Sequence, residues 1–160
     1  MDGAGRPPAG EVAMSDVTAL HEAVERGELE RLRALLAADR GLANARSETD
    51  ARGTYPLHVA AEFGQADAAR VLLRHGADVS LLDAENDAIA LCWAAFFGRP
   101  GVVAVRLDAG SAPSQRNKHG LTPLGCAMSG TRGEWRQFSD ATLEDWRQAA
   151  AALRSRGATE

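Results

Sequence analysis

The chain's readiest nucleophiles, bases and metal ligands are four histidines and two cysteines. They are scattered. His21 and His58 each follow a leucine, His75 precedes Gly76, and His119 sits in the short stretch Lys118-His119-Gly120. Cys92 and Cys126 lie in apolar text with no CxxC spacing. No metal-ligand spacing, glycine-rich phosphate cradle or nucleophile elbow is present. We therefore expect no catalytic residue, no metal and no cofactor. The thiols are expected to be buried and reduced, and His119 to be solvated. His75, at a helix end, would interact favourably with the dipole when charged.

Recognition is the other chemistry to consider, and aromatics make up only 5% of the chain, so each one is informative. They gather in the second half: Trp93, Phe96, Phe97, Trp135, Phe138 and Trp146, with Phe63 before them. The formal net charge is −4, which argues against nucleic acid as partner because phosphate binding needs a concentrated basic surface. No apolar run reaches the roughly 20 residues of a membrane span. The opening Met1–Gly10 has no apolar core of the kind a secretory signal needs, and residues 1–14 read as a disordered lead. A cytoplasmic monomer is expected.

The elements that must position these residues repeat along the chain. Leu20, Leu57, Leu91 and Leu124 anchor four similar segments, separated by 37, 34 and 33 residues. Tyr55-Pro-Leu-His58 is the clearest start; Thr122-Pro-Leu-Gly125 repeats it, and Thr18-Ala-Leu-His21 and Ile89-Ala-Leu-Cys92 approximate it. Proline at a first helical position gives up no needed N–H, and threonine before it can cap the helix. Small residues at Ala60-Ala61, Ala94-Ala95 and Ala127 let neighbouring helices approach. The second helix of each later unit is followed by Gly76, Gly110 or Gly157. A single unit cannot bury its apolar stripe, so stacking must create the core.

Period and motif together resemble the ankyrin repeat over about residues 16–160, in the form found in bacterial proteins. The resemblance implies an all-α solenoid of four helix–turn–helix units with short β-turn fingers, one domain over 15–160 with repeats at about 15–49, 50–83, 84–117 and 118–160. It also implies a non-enzymatic scaffold that binds a protein partner through its concave face and turn tips. The implied contact residues are Arg52, Thr54, Glu62, Phe63, Glu85, Asn86, Phe96, Phe97, Lys118, His119 and Leu121. Phe63, Phe96 and Phe97 would be the apolar anchors, with Phe63 beside Phe97. His21 and His58 would tie adjacent turns by hydrogen bonds.

The departures from the repeat carry a second reading. Cys92 stands where that histidine would be, and Asn86 or Asp87 must supply a left-handed residue in a turn that lacks glycine. Arg106 stands at a core position of its helix. It must either reach solvent by local rotation or pair with Glu134, Asp140 or Asp145. The last unit carries an insertion, 130–141, with Trp135 and Phe138. It either caps the open end of the stack or closes an aromatic pocket for a small molecule. That pocket, used for binding or cofactor-free chemistry, would draw on Trp93, Arg106, Trp135, Phe138 and Trp146.

Overall fold

The computed structural model describes residues 14–47 and 49–160. The expected lead therefore lies outside the described residues, except for Met14, which begins the first helix. Among the described residues eight α-helices follow one another: α1 (Met14–Arg26), α2 (Leu29–Ala38), α3 (Pro56–Glu62), α4 (Ala66–Arg74), α5 (Ala90–Phe96), α6 (Pro100–Asp108), α7 (Pro123–Thr131) and α8 (Leu143–Ser155). A 3-10 turn, Arg40–Asn44, fills the long exit after α2. No strand is present among the described residues; a lone bridge joins Leu82 and Ile89.

The helices form two layers. Each odd-numbered helix packs on its even-numbered successor; α1, α3, α5 and α7 stack as an inner row, and α2, α4, α6 and α8 as an outer row. Leu20, Leu57, Leu91 and Leu124 are all buried in one contiguous core. That core is what no single pair of helices could enclose.

Three fingers project between the pairs, each closed by a backbone bond: Ser47 N–H to Thr54 O (2.8 Å), Asp83 N–H to Ala88 O (3.0 Å) and Asn117 N–H to Leu121 O (3.0 Å). Neighbouring fingers are joined by Ala84 N–H to Arg52 O and Lys118 N–H to Asn86 O, both 2.9 Å. One acidic or amide side chain organises each finger. Asp50 accepts from Arg52 N–H and the Thr54 hydroxyl, Asp83 from the N–H groups of Glu85, Asn86 and Ala88, and Asn117 from those of His119 and Leu121. Gly53, Asp87 and Gly120 occupy the left-handed turn position, at φ +62°, +49° and +77°. Asp87 thus supplies the conformation that glycine supplies in the other two, at some cost in backbone strain.

The histidine ties form as expected. His21 Nε2 bonds Ala45 O at 3.0 Å, and His58 Nε2 bonds Ala88 O at 2.9 Å. In the third pair, Cys92 Sγ reaches only Gln115 O, at 3.8 Å. Burial pushes the His58 pKa down to about 4, outweighing its bond to Ala88 O, so the ring is neutral in the folded protein at neutral pH.

Arg106 follows neither expected course. The residue is 0% exposed, the three acids proposed for it play no part, and among the described residues its only hydrogen bond runs from Nη2 to Val79 O, at 2.9 Å. Among those residues Nε and Nη1 have no partner. Burial lowers its pKa to about 10, offset in part by Asp78. The helix is not rotated; the side chain simply fills a leucine-like site.

Candidate functional site

The insertion begins where α7 ends at Thr131 and closes at Thr142. There a capping box with Asp145 starts α8: Asp145 N–H donates to the Thr142 hydroxyl, and Thr142 N–H to the Asp145 carboxylate. Between these points the chain turns back over the inner helices. Trp135 donates from Nε1 to Cys126 O (2.9 Å), and the Ser139 hydroxyl donates to Phe97 O (2.7 Å). Those two bonds fix the loop's direction.

An aromatic cluster results. Phe96 meets Phe97 edge-on at 4.9 Å between centroids, Trp135 at 4.7 Å and Phe138 at 5.8 Å. Trp93 continues the row, 5.8 Å from Phe97. Trp93 is itself held rigidly. Its indole N–H donates to the buried Asp83 carboxylate at 2.9 Å, and the Arg52 guanidinium lies over its ring at 4.8 Å. Arg52 is clamped in turn by Asp50 and, through two nitrogens, by Glu62. Partial burial works against its charge, but those carboxylates raise its pKa above the ordinary value.

Between the fingers and this aromatic wall lies a cleft of about 630 Å³, floored by Trp93, Phe96 and Phe97, walled by Trp135 and Phe138, and rimmed by Arg52, Glu85, Asn86 and His119. That size falls within the range of ordinary ligand sites. Cys92 and Cys126 also face it, both free and buried. Burial raises the pKa of both thiols, that of Cys126 to about 12, so neither is a thiolate near neutral pH. Among the described residues no group of His, Cys, Asp and Glu could hold a metal ion.

The structure brings together Arg52, Glu85, Asn86, Phe96, Phe97, His119, Leu121, Trp93, Trp135 and Phe138 around this cleft. Glu62 joins through Arg52, and the Lys118 ammonium bonds Glu85 O beside it. Four expected members stand elsewhere. Thr54 is 1% exposed, its hydroxyl committed to Asp50, so it cannot meet a partner. Phe63 is 43% exposed but belongs to a separate polar hollow with Gly64, Arg99 and Asp140; the insertion's aromatics land on Phe96, not on Phe63. Arg106 lies in the core. Trp146 is no lid: it is fully buried, wedged against Gly98 and Gly130, and donates from Nε1 to Phe96 O at 3.0 Å.

Sequence reasoning missed Asp83, whose carboxylate fixes Trp93. Its signal is an acid opening a glycine-free turn, where a side chain must take over the turn's hydrogen bonds. Arg99 was missed as well; it donates to Glu62 O (3.0 Å) and pairs with Asp140 (2.7 Å), strapping the insertion to the second pair.

Comparison with known proteins matches residues 8–83 to the family described as ankyrin repeats (3 copies). Rabankyrin-5 of Homo sapiens is 37% identical over 92 residues, a stretch that takes up 54% of this chain and 8% of that protein. Repeats of this kind are in general protein–protein interaction modules. No helix among the described residues is long and apolar enough to cross a membrane.

Proposed function

We propose that this chain, an ankyrin-repeat protein, is a non-enzymatic scaffold that binds a protein partner through its finger and inner-helix face, with the aromatic cleft as the point of capture. The observation that carries this reading is the cleft itself. Its floor and wall are apolar rings, and Phe138, 56% exposed, stands at the edge. Fully desolvated aromatic anchors ringed by polar groups are how interfaces concentrate binding energy. Lys118, Glu85, Asn86 and His119 form the rim; Phe138 takes the place of Phe63 as an anchor beside Phe96 and Phe97. The working unit on this reading is a cytoplasmic monomer of bacterial type over residues 15–160, with four repeats bounded near 15–49, 50–83, 84–117 and 118–160.

A photo-crosslinking residue placed at Phe138 should yield protein adducts in cells of the source organism. The same residue at Arg70, exposed on the outer helix α4, should not. Equal labelling from both positions, or none from Phe138, refutes the reading.

The enclosure given by Trp135 and Phe138 favours a second reading, a small apolar molecule in the same cleft. It is separated by native mass spectrometry of protein purified from its own host: a co-purifying small mass, lost in the Phe97→Ala variant, would replace the scaffold reading.

A further inference from the structure

The cleft's charge is as informative as its rings. Of the charged groups that line it or hold its lining residues, four are carboxylates (Asp50, Glu62, Asp83 and Glu85) and two are cations (Arg52 and Lys118). Arg52 is shared between two carboxylates. Among the described residues the Glu85 carboxylate has no cationic side chain against it; Lys118 goes to the backbone oxygen of Glu85 instead. An apolar cavity thus opens beside an exposed carboxylate that no cationic side chain of the described residues pairs with.

Several finger backbone groups are used internally: Ser47, Asp83 and Asn117 N–H close the hairpins, and Ala84 and Lys118 N–H join neighbouring ones. The cleft beside them is lined by the rings of Trp93, Phe96, Phe97, Trp135 and Phe138, so side chains lead recognition there.

We infer that the cleft takes an extended segment of a partner protein, in which a large apolar side chain sits against Phe96, Phe97 and Phe138 and a neighbouring lysine or arginine meets Glu85. This rests on the scaffold reading above and deepens it. An acidic segment would meet the local excess of negative charge. A purely apolar one would leave Glu85 uncompensated at the interface, where charge complementarity sets partner choice and association rate.

The test pans a library of random eight-residue peptides displayed on phage against the full chain, then measures the selected peptides by fluorescence anisotropy. Selected sequences should pair Phe, Trp, Leu or Met with Lys or Arg one to three positions away. Glu85→Lys should weaken them about fivefold to tenfold, with unchanged circular dichroism, and replacing the peptide's basic residue by Glu should restore binding to that variant. Selection without basic residues, no selection at all, or Glu85→Lys leaving affinity unchanged overturns the inference. The crosslink from Phe138 is read independently. Adducts from it alongside any of these failures would leave the scaffold reading standing and only the linear apolar-and-basic segment wrong.

Discussion

Replacing Arg106 by methionine should make this protein more stable. The guanidinium is fully buried and, among the described residues, makes one hydrogen bond, to Val79 O, and leaves Nε and Nη1 without partners. Its pKa falls from 12.5 to about 10, chiefly through burial. That corresponds to about 3 kcal/mol held against the charged form. Methionine fills a similar volume without the charge. The change strips Val79 O of its donor, which costs about 1 kcal/mol. The net expectation is a gain of about 2 kcal/mol, in line with what exchanging buried ions for apolar residues gives elsewhere.

Urea unfolding at pH 7, followed by tryptophan fluorescence, is the assay. For a chain of this size the same gain raises Tm by roughly 4–8 °C. Arg106→Ala supplies the control: it removes the charge but opens a cavity, whose cost of about 2–4 kcal/mol cancels the benefit. The expected order is therefore Met above wild type, with Ala at or below it. A loss of more than about 1 kcal/mol in Arg106→Met would refute the reasoning, because the guanidinium would then be doing more for the fold than its single bond to Val79 O allows.

Three further outcomes follow from the same packing. His58 is buried and neutral, with its folded pKa near 4 and its unfolded value near 6.5. The unfolded state binds the extra proton first, so stability is complete above pH 6.5 and falls by about 3 kcal/mol as pH drops from 6.5 to 4. Urea midpoints across that window should show the slope, and His58→Gln should flatten it. Asp87→Gly should raise stability by about 0.5–1 kcal/mol by relieving the left-handed strain at φ +49°, read as a higher urea midpoint with unchanged slope. Gly130→Ala should cost about 2 kcal/mol or more, because its Cβ would stand 2.2 Å from the Trp146 ring. In a Trp146→Leu background the same change should cost far less, as thermal unfolding of the four proteins would show.

How much of this was legible beforehand depends on which interactions are local. The leucine period gives the helix pairs because each anchor faces the core whatever its neighbours do, and Leu20, Leu57, Leu91 and Leu124 are all buried. The histidine ties were legible for the same reason: they join residues of fixed register. That Asn86 or Asp87 would turn left-handed was readable because a finger of that length demands one such residue and no glycine was offered; the structure assigns it to Asp87. The site was only half legible. That Trp135 and Phe138 would meet Phe96 depends on where a twelve-residue crossing lands, and that is set by Trp135 to Cys126 O and Ser139 to Phe97 O. No periodicity encodes either bond. Arg106 escaped because the pattern placed it at a core position correctly, while both courses expected for it, rotation to solvent and pairing with an acid, assumed a relief the fold does not provide.

The same contrast explains why recognition concentrates at one end of the stack. In the second pair, Arg52 is neutralised by Asp50 and Glu62, Thr54 is consumed by the finger and Phe63 borders a polar hollow. Little there is left to offer a partner. In the third pair the lost proline and histidine are accompanied by Trp93, Phe96 and Phe97 on the inner helix, and the insertion of the fourth pair folds onto them instead of extending the stack. A loop that served only to cap the open end would cover α7 and α8; this one, though Trp135 is tied to α7 through Cys126 O, stacks the rings of Trp135 and Phe138 on Phe96 of α5 and leaves a cleft beside them. Shortening the insertion to a repeat-like crossing, by deleting residues 132–139, separates the two roles. If the loop shapes the site, the variant keeps its helical circular dichroism, loses the peptide binding described above, and falls in Tm by only the few degrees that exposing Phe96 would cost. A collapse of the fold with no selective loss of binding would mean the loop is a cap, and the cleft a by-product of capping.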